Sequence, residues 1–317
     1  MENERLDRLY EAADAYAKYC RPPVHTFLVQ HRGEIVAERS WWGYTPTSTQ
    51  PVFSITKSVV SALVGIALGD GKLALSDTLG QWFPELPAES PSRAITVEHL
   101  LTMTGGFVPL KARLTGDDPL PALLNRPLND PPGQQFHYDN EAVDLLAVLV
   151  ERAVGEPALD FAVRRLFTPL GIWSDVPKSG RRRLWQADRQ KRVLGGYGLH
   201  LTTHEMAAFG QLYLQRGCWQ GQQIVPVEYV AASTSVQSAG GYAEMVKYGY
   251  LWWVTSDRSG HAAFYASGRG GQYIYVVPAL ELVVVITSTA RSADGRAHRV
   301  TRSRLAVQYV TEESDGT

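Results

Sequence analysis

The 317-residue sequence has few cysteines and no long apolar run. Its two cysteines, Cys20 and Cys218, lie far apart, which argues against a disulfide framework and a CxxC metal site. No uninterrupted apolar stretch approaches the ~20 residues that a transmembrane helix requires. The charged opening MENERLDRLYEAADAYAKYC also lacks the apolar centre of a signal peptide. We therefore expect a soluble protein of the cytoplasm that does not enter a membrane.

The sequence has no excess of charge of either sign. Its 31 basic and 32 acidic residues leave a net charge of -1, so electrostatics gives no reason to expect binding to nucleic acid or to an anionic membrane. The run GRRRLWQADRQKR at residues 180–192 is locally basic. A solvated loop explains that run better than a polyanion site does.

Several enzyme signatures are absent as well. There is no G-x-S-x-G, which excludes the nucleophile elbow of α/β-hydrolases, and no complete G-x-G-x-x-G or Walker loop. HEMAA at residues 204–208 lacks the second histidine of a zinc protease. His200 and His204 share helical spacing, but such a pair is more often structural than metal-binding. We expect neither a metal nor a cofactor.

The first part of the chain alternates helical and strand patterns. Residues 2–19 have helical apolar spacing, and HTFLVQHRGEIVAERS indicates two strands around a turn at Gly33. An apolar helix then opens at Ser54 and closes at GDGK, residues 69–72. Prolines cluster between residues 80 and 190, separated by short helical segments such as VEHLLTM and NEAVDLLAVLVERAVG, which is typical of an inserted helical domain.

The last part of the chain favours strands. A helix in TTHEMAAFGQLYLQRG is expected to end at Gly217, and residues 297–311 can form a closing helix. Between them lie the strand-like runs YGYLWWV, HAAFYAS, QYIYVVPAL and LELVVVITS. This order predicts the α+β class, with a sheet domain built from residues 1–79 and 193–317 and a helical domain over 80–192.

PVFSITKSVV contains the only S-x-x-K of the chain, Ser54 and Lys57. Residues three apart on a helix share a face, so the lysine can hydrogen-bond the serine hydroxyl. A serine needs a neighbouring base to act as a nucleophile, and a lysine can be that base only if its pKa falls well below ~10.4. The alternative is that Ser54 caps the helix and Lys57 is a solvated helix residue.

FHYDNEAV places Tyr138 two residues before Asn140. A tyrosine can relay protons, and an asparagine amide can bond a lysine or a substrate carbonyl. The alternative is a loop in which Asn140 caps the helix that follows; both roles can hold together.

YASGRGGQYIYVV is the third element. Gly268, Gly270 and Gly271 stand where a strand begins, and glycine in a strand often marks the close approach of another backbone or a ligand. A strand edge beside the nucleophile can present an N–H group to an oxyanion. The alternative is a plain turn.

The order of the three elements resembles that of the serine β-lactamase and penicillin-binding-protein superfamily. The resemblance is strongest to the class C-like β-lactamase-related hydrolases, which include carboxylesterases and aminohexanoate-dimer hydrolases. It covers about residues 24–290 and implies an antiparallel sheet flanked by helices, with an inserted helical domain. Four further phrases support it: HLLTMTGG, PPGQQFHYDN, FTPLGI and GGYGLHLTTHEMAAFGQLYLQRG.

The resemblance implies a role for each matching residue. Ser54 is expected to be the acylated nucleophile, Lys57 its activator, and Tyr138 a base or proton relay. Asn140 is expected to support Lys57 or the substrate. The backbone N–H groups of Ser54 and Arg269 are expected to form the oxyanion hole.

One motif departs from the family pattern. Where the family commonly has a lysine or histidine, then a small residue, then glycine, this chain has Ala266, Ser267 and Gly268. Ser267 and Gly268 are still expected to bind substrate, but the cation that helps to hold a β-lactam carboxylate is missing. This disfavours an efficient β-lactamase or peptidoglycan peptidase.

The sequence therefore predicts a serine hydrolase that cleaves a small ester or amide through an acyl-enzyme. A weak β-lactamase or a D-aminopeptidase-like peptidase is the alternative within the same class. A non-catalytic ligand-binding protein of the same fold is the alternative from another class. The oligomeric state stays open.

Overall fold

A computed structural model describes residues 2–19, 23–110, 116–181, 184–241, 246–257 and 259–289. Contacts divide the chain into two compact units. The first unit comprises Met1–Ile55, His200–Gln215 and Val254–Thr317, and the second comprises Thr56–Leu199 and Arg216–Trp253. The folding domains expected over 1–79 with 193–317 and over 80–192 stay a prediction, since this division by contacts runs through other residues.

Helices are numbered in chain order. They are α1 Glu2–Tyr19, α2 Ile55–Gly69, α3 Leu79–Trp82, α4 Val97–Leu101, α5 Leu120–Leu124, α6 Asn140–Val154, α7 Ala158–Ala162, α8 Thr168–Leu170, α9 Lys178–Arg181, α10 Thr203–Leu214 and α11 Val227–Ser233. Among the residues that the structure describes, no helix is long and apolar enough to cross a membrane.

Strands are numbered in the same way. They are β1 Val24–His31, β2 Glu34–Ser40, β3 Gln50–Pro51, β4 His200–Leu201, β5 Cys218–Trp219, β6 Gln222–Gln223, β7 Lys247–Tyr248, β8 Trp253–Ser256, β9 Ala262–Gly268, β10 Gln272–Val277 and β11 Leu282–Ser288.

The first unit is built on a sheet in which strands lie in the order β2-β1-β11-β10-β9-β8. The pairs β1–β2, β1–β11, β10–β11 and β9–β10 are all antiparallel. Every residue of β11 is buried, as expected of a central strand covered on both faces. Helices α1 and α10 pack against strands of this sheet. The predicted α+β class, with an antiparallel sheet flanked by helices, is confirmed.

The helix α2 lies in the interior of the second unit. Residues 56–67 of this helix are all buried, and most of them are apolar. Two serines inside it are hydrogen-bonded: Ser58 Oγ donates to Leu251 O at 2.8 Å and Ser61 Oγ donates to Tyr250 O at 2.7 Å. The position of α2 decides the surroundings of every side chain in its first turn, including Lys57.

Two predicted elements differ in the structure. YGYLWWV is not one strand, because the chain turns between β7 and β8, where Gly249 N–H donates to Trp252 O at 2.8 Å. A Cβ on Gly249 would lie 2.1 Å from Ser233 O, so the turn needs glycine. The helix expected to end at Gly217 ends at Leu214. The closing helix expected over 297–311 and Cys20 lie outside the described residues.

Candidate active site

Lys57 is buried in the first turn of α2, with 1% of its surface exposed. Its Nζ donates to Asn140 Oδ1 at 2.7 Å and to Gly196 O at 2.5 Å. Nζ also lies 4.8 Å from the centroid of the Tyr138 ring, within the range of a cation–π interaction. Burying an amine is costly unless it is hydrogen-bonded. The alternative that made Lys57 a solvated helix residue is therefore wrong.

The start of α6 positions Tyr138 and Asn140. Asp139 Oδ1 accepts the backbone N–H groups of Glu141 at 3.0 Å and Ala142 at 3.1 Å, so Asp139 is the N-cap. Asn140 is the first helical residue, and the prediction that it caps the helix is wrong. The Asn140 side chain instead points its oxygen at Lys57.

A buried ion pair supports the same cap. Arg126 Nη2 lies 2.7 Å from Asp139 Oδ2, and the two side chains are 2% and 10% exposed. Arg126 Nη2 also donates to Val108 O at 2.7 Å. Because the cap is tied to a second segment of the same unit, the residues on either side of Asp139 are held by the fold and not by the helix alone.

Tyr138 belongs to an aromatic group formed with Phe136, Tyr248 and Trp253. The Tyr138 and Trp253 rings are stacked, with centroids 5.9 Å apart and an interplanar angle of 12°. The Tyr248 ring meets the Tyr138 ring edge-on at 6.5 Å and the Trp253 ring edge-on at 4.7 Å. Such arrangements favour fixed ring orientations, and they set the plane of Tyr138 beside Lys57.

A polar cleft of about 690 Å³ lies in the second unit next to this aromatic group. Phe136 belongs to both the cleft and the aromatic group. It lines the cleft, and its ring centroid lies 5.2 Å from that of Tyr248. The other lining residues carry mostly amide, hydroxyl or backbone groups: Glu98, His99, Thr102, Thr104, Gly133, Gln134, Gln135, Gln237, Ser238, Ala239, Gly240 and Gly241. Its volume is in the range of small-molecule sites.

In the first unit, the residues before Ser54 adopt an unusual backbone. Ser54 immediately precedes α2, and Phe53 has a φ of 49°, in the left-handed region that a phenylalanine rarely adopts. A Cβ on Gly268, at the end of β9, would lie 2.1 Å from Val52 O. Gly268 therefore marks a close approach of two backbones, which is the kind of contact that its position in a strand predicts.

Arg269 begins the turn between β9 and β10, and it is exposed. Gly270 and Gly271 complete the turn with φ values of 82° and 101°. The turn is tied to β11, because Ser288 Oγ donates to Gly270 O. Gln272 Nε2 donates to Ser288 O at 2.5 Å. Ser267 is half-buried on β9.

The structure thus brings Lys57, Tyr138 and Asn140 together in the second unit. It places the other predicted site residues, Ser54 and the segment 267–269, in the first unit. The two histidines predicted to be structural lie on different elements, His200 on β4 and His204 on α10. Within the described residues, no group of three or more His, Cys, Asp and Glu side chains can hold a metal ion.

Several described residues of the basic run at 180–192 make ion pairs or hydrogen bonds with other groups. Arg192 pairs with Asp188 at 2.7 Å and with Asp118. Arg189 pairs with Asp117, and Arg181 Nε donates to Val176 O at 3.1 Å. These contacts favour the interpretation as a loop over a polyanion site.

Sequence reasoning missed several residues of this site. Gly196 contributes only a carbonyl, and Asp139 and Arg126 act on their neighbours through a cap and an ion pair. Trp253 was expected only as part of a strand in YGYLWWV. The adjacent glycines 195 and 196 were a usable signal, since a glycine pair between predicted elements often marks tight backbone packing.

Comparison with known proteins agrees with this architecture. Residues 14–308 match the Beta-lactamase family. A β-lactamase of Escherichia coli (strain K12) is 26% identical over 229 residues, which are 63% of this chain and 60% of that protein. The 6-aminohexanoate-dimer hydrolase of Paenarthrobacter ureafaciens is 21% identical over 300 residues, 85% of this chain and 74% of that protein.

Among solved structures, a class C β-lactamase from Rhodobacter sphaeroides superimposes with a TM-score of 0.74. It is 19% identical, and the match covers 96% of this chain and 99% of that one. At this identity the likeness establishes the fold. Together with the family match over residues 14–308, it leads to the conclusion that the chain belongs to the β-lactamase family of hydrolases.

Proposed function

We propose that this protein is a serine hydrolase that cleaves small esters or amides through an acyl-enzyme on Ser54. The observation that carries the proposal is the buried Lys57, whose Nζ is held by Asn140 Oδ1 and Gly196 O beside the Tyr138 ring. A buried lysine with defined acceptors, three residues after a serine at the start of a helix, is suited to accept and return a proton.

The reaction consists of two acyl transfers. Ser54 Oγ attacks the substrate carbonyl, its proton passes to the Lys57–Tyr138 pair, and the same pair returns a proton to the leaving alcohol or amine. Water then attacks the acyl-enzyme, gives up a proton to the pair and releases the acid, while Ser54 regains its proton. The N–H groups of Ser54 and Arg269 are the proposed donors to the oxyanion in both steps.

The family motif has a cation that helps to hold the carboxylate of a β-lactam, and this chain has Ala266 in its place. The proposed substrate therefore has no carboxylate at that position. The polar cleft beside Phe136 is proposed to accommodate an uncharged polar part of the substrate through its amide and hydroxyl groups. Amide cleavage has the support of the relative that hydrolyses an aminohexanoate dimer. A weak β-lactamase activity is the second candidate, supported by the name of the E. coli relative.

The test is a pair of variants on one helix. We expect Ser54→Ala to abolish ester hydrolysis and labelling by a fluorophosphonate, while the fold survives, since loss of a serine at a helix start costs about 1 kcal/mol. Ser58→Ala, which removes a buried hydroxyl on α2, is the control and should remain active and labelled. Near-normal turnover by folded Ser54→Ala would show that another residue is the nucleophile.

The substrate class is tested with a panel of p-nitrophenyl esters, aminohexanoate oligomers and nitrocefin. We expect short-chain esters to be cleaved much faster than nitrocefin. Nitrocefin turnover equal to ester turnover would favour the β-lactamase. A folded protein that neither turns over any of these compounds nor reacts with the fluorophosphonate would favour a ligand-binding protein.

A further inference from the structure

The carbonyl of Gly196, which accepts a hydrogen bond from Lys57, belongs to the glycine pair Gly195 and Gly196. This pair packs directly against the backbone of α6. A Cβ on Gly195 would lie 2.2 Å from Val143 O, and a Cβ on Gly196 would lie 2.6 Å from Asn140 O. Only residues without side chains can approach the helix so closely. The pair therefore touches the helix backbone itself, in the first turns that also carry Asn140.

A buried carboxylate fixes this glycine pair. Asp144 Oδ1 accepts the Gly196 backbone N–H at 2.9 Å. Asp144 is 8% exposed, in the interior of α6. It stands four residues after Asn140, so both side chains lie on the same face of the helix.

Two of the acceptors of Lys57 are both positioned by α6. Asn140, which provides Oδ1, is the first residue of α6. Gly196, which provides its carbonyl oxygen, is hydrogen-bonded through its N–H group to Asp144 in the second turn of α6. Charge-assisted bonds of a carboxylate to a backbone N–H are among the stronger hydrogen bonds. If the Gly196 N–H lost its partner, the carbonyl of the same residue would be free to rotate away from Nζ.

We propose that Asp144 is a positioning residue of the active site, which fixes the Gly196 carbonyl and through it the Nζ atom of Lys57. This inference rests on the proposed function, since it concerns the base of that reaction. Asp144 itself does not touch the substrate. Its required property is an oxygen that accepts the Gly196 N–H, and its negative charge is of secondary importance.

The experiment compares two substitutions that keep the shape of the side chain. Asp144→Asn retains an acceptor oxygen, whereas Asp144→Leu has no acceptor. We expect Asp144→Leu to lower kcat for p-nitrophenyl acetate and the rate of fluorophosphonate labelling of Ser54 by about 10- to 100-fold, the effect of a misplaced catalytic group. KM should change little, and Asp144→Asn should stay within about threefold of the wild type in both assays.

The control for stability is Ser61→Ala, which removes buried hydrogen bonds on α2 without touching the acceptors of Lys57. It should lower the melting temperature and leave both rates unchanged. If Asp144→Leu does not fold, Asp144→Ala, which introduces no bulk, replaces it with the same expected loss.

Two results would overturn the proposal. Wild-type rates in the folded variant that lacks the acceptor would show that Gly196 needs no anchor. An equal loss in Asp144→Asn would show that the charge, and not the acceptor, is required. A wild-type protein that the fluorophosphonate does not label at Ser54 would instead remove the proposed function, and the role of Asp144 with it.

Discussion

The two units differ in what they contribute to the proposed chemistry. The second unit supplies side chains with ionisable or amide groups, Lys57, Tyr138 and Asn140, which are held by a helix cap, an aromatic group and a glycine pair. The first unit supplies mostly backbone: the left-handed Phe53 before Ser54, the approach of Gly268 to Val52 O, and the turn after β9.

This difference shows two ways of building precision. Side chains in the second unit are positioned by several polar and aromatic contacts each, so the loss of a single contact leaves the other contacts in place. Backbone groups in the first unit are positioned by shape, and a single added methyl group is enough to displace them. Variants in each unit should therefore fail in different ways.

The largest effect is expected in the second unit, from the proton-transfer groups. Lys57→Ala and Tyr138→Phe should each lower kcat for ester hydrolysis by about two to four orders of magnitude, the range for a lost acid–base group. If the two groups act as a unit, as proposed, the double variant should be little worse than the more damaged single variant. Steady-state kinetics on folded proteins measures both quantities.

Phenylalanine keeps the ring that stacks on Trp253 and removes only the hydroxyl, so Tyr138→Phe separates chemistry from packing. Nearly full turnover by this variant would make Tyr138 a structural residue and leave Lys57 to act alone. Strictly multiplicative losses in the double variant would contradict the shared role.

An intermediate effect is expected in the first unit, from Gly268→Ala. The new Cβ would lie 2.1 Å from Val52 O and must push the end of β9 away from the segment before Ser54. If Arg269 N–H donates to the oxyanion, turnover should fall by about 10²-fold, close to the loss of one such donor. The measurement is kcat for ester hydrolysis beside a melting curve.

Gly43→Ala is the matched control in the same unit. Gly43 also has a positive φ, 78°, but no atom lies within 4 Å of its Cβ position. Its substitution should cost about 1 kcal/mol of stability through backbone strain and leave turnover intact. Full activity of Gly268→Ala would show that the position of the end of β9 is not important for catalysis.

The smallest effect concerns acid stability and His25. Burial lowers the pKa of His25, and the hydrogen bond to Gln50 offsets this only in part. The unfolded chain therefore binds a proton near pH ~6.5 that the folded protein resists. Neutral His25 therefore stabilises the folded protein fully above pH ~6.5. This stabilisation is lost as the pH falls through the lower pKa that His25 has in the folded state.

We expect the free energy of unfolding in urea to fall between pH 7.5 and pH 5.5, and His25→Gln to reduce that fall. His99 provides the comparison in the second unit, since burial also lowers its pKa while Glu98 opposes the shift. Burial raises the pKa of Glu141, so this carboxyl group changes stability in the opposite direction and favours the folded protein as the pH falls. A fall that is unchanged in both His25→Gln and His99→Gln would assign the acid sensitivity to other groups.

Much of the fold follows from local patterns. Alternation and β-branched runs located β1, β2, β9, β10 and β11, and the apolar run after Ser54 located α2. YGYLWWV was misassigned because its turn depends on Ser233, a distant residue whose carbonyl leaves no room for a side chain at Gly249. The apolar pattern of a segment predicts its secondary structure. It does not show that the backbone of a distant segment, here Ser233, packs against it.

The sequence by itself determined the candidate chemistry, because Ser54 and Lys57, and likewise Tyr138 and Asn140, are close enough along the chain for their spacing to have meaning. Only the tertiary structure decided how that chemistry is held. The Gly196 carbonyl reaches Lys57 across 139 residues, and Asp144 acts through a backbone N–H group that every residue except proline possesses. Nearly every residue has the same backbone donor and acceptor, so which of them a site uses is decided by packing.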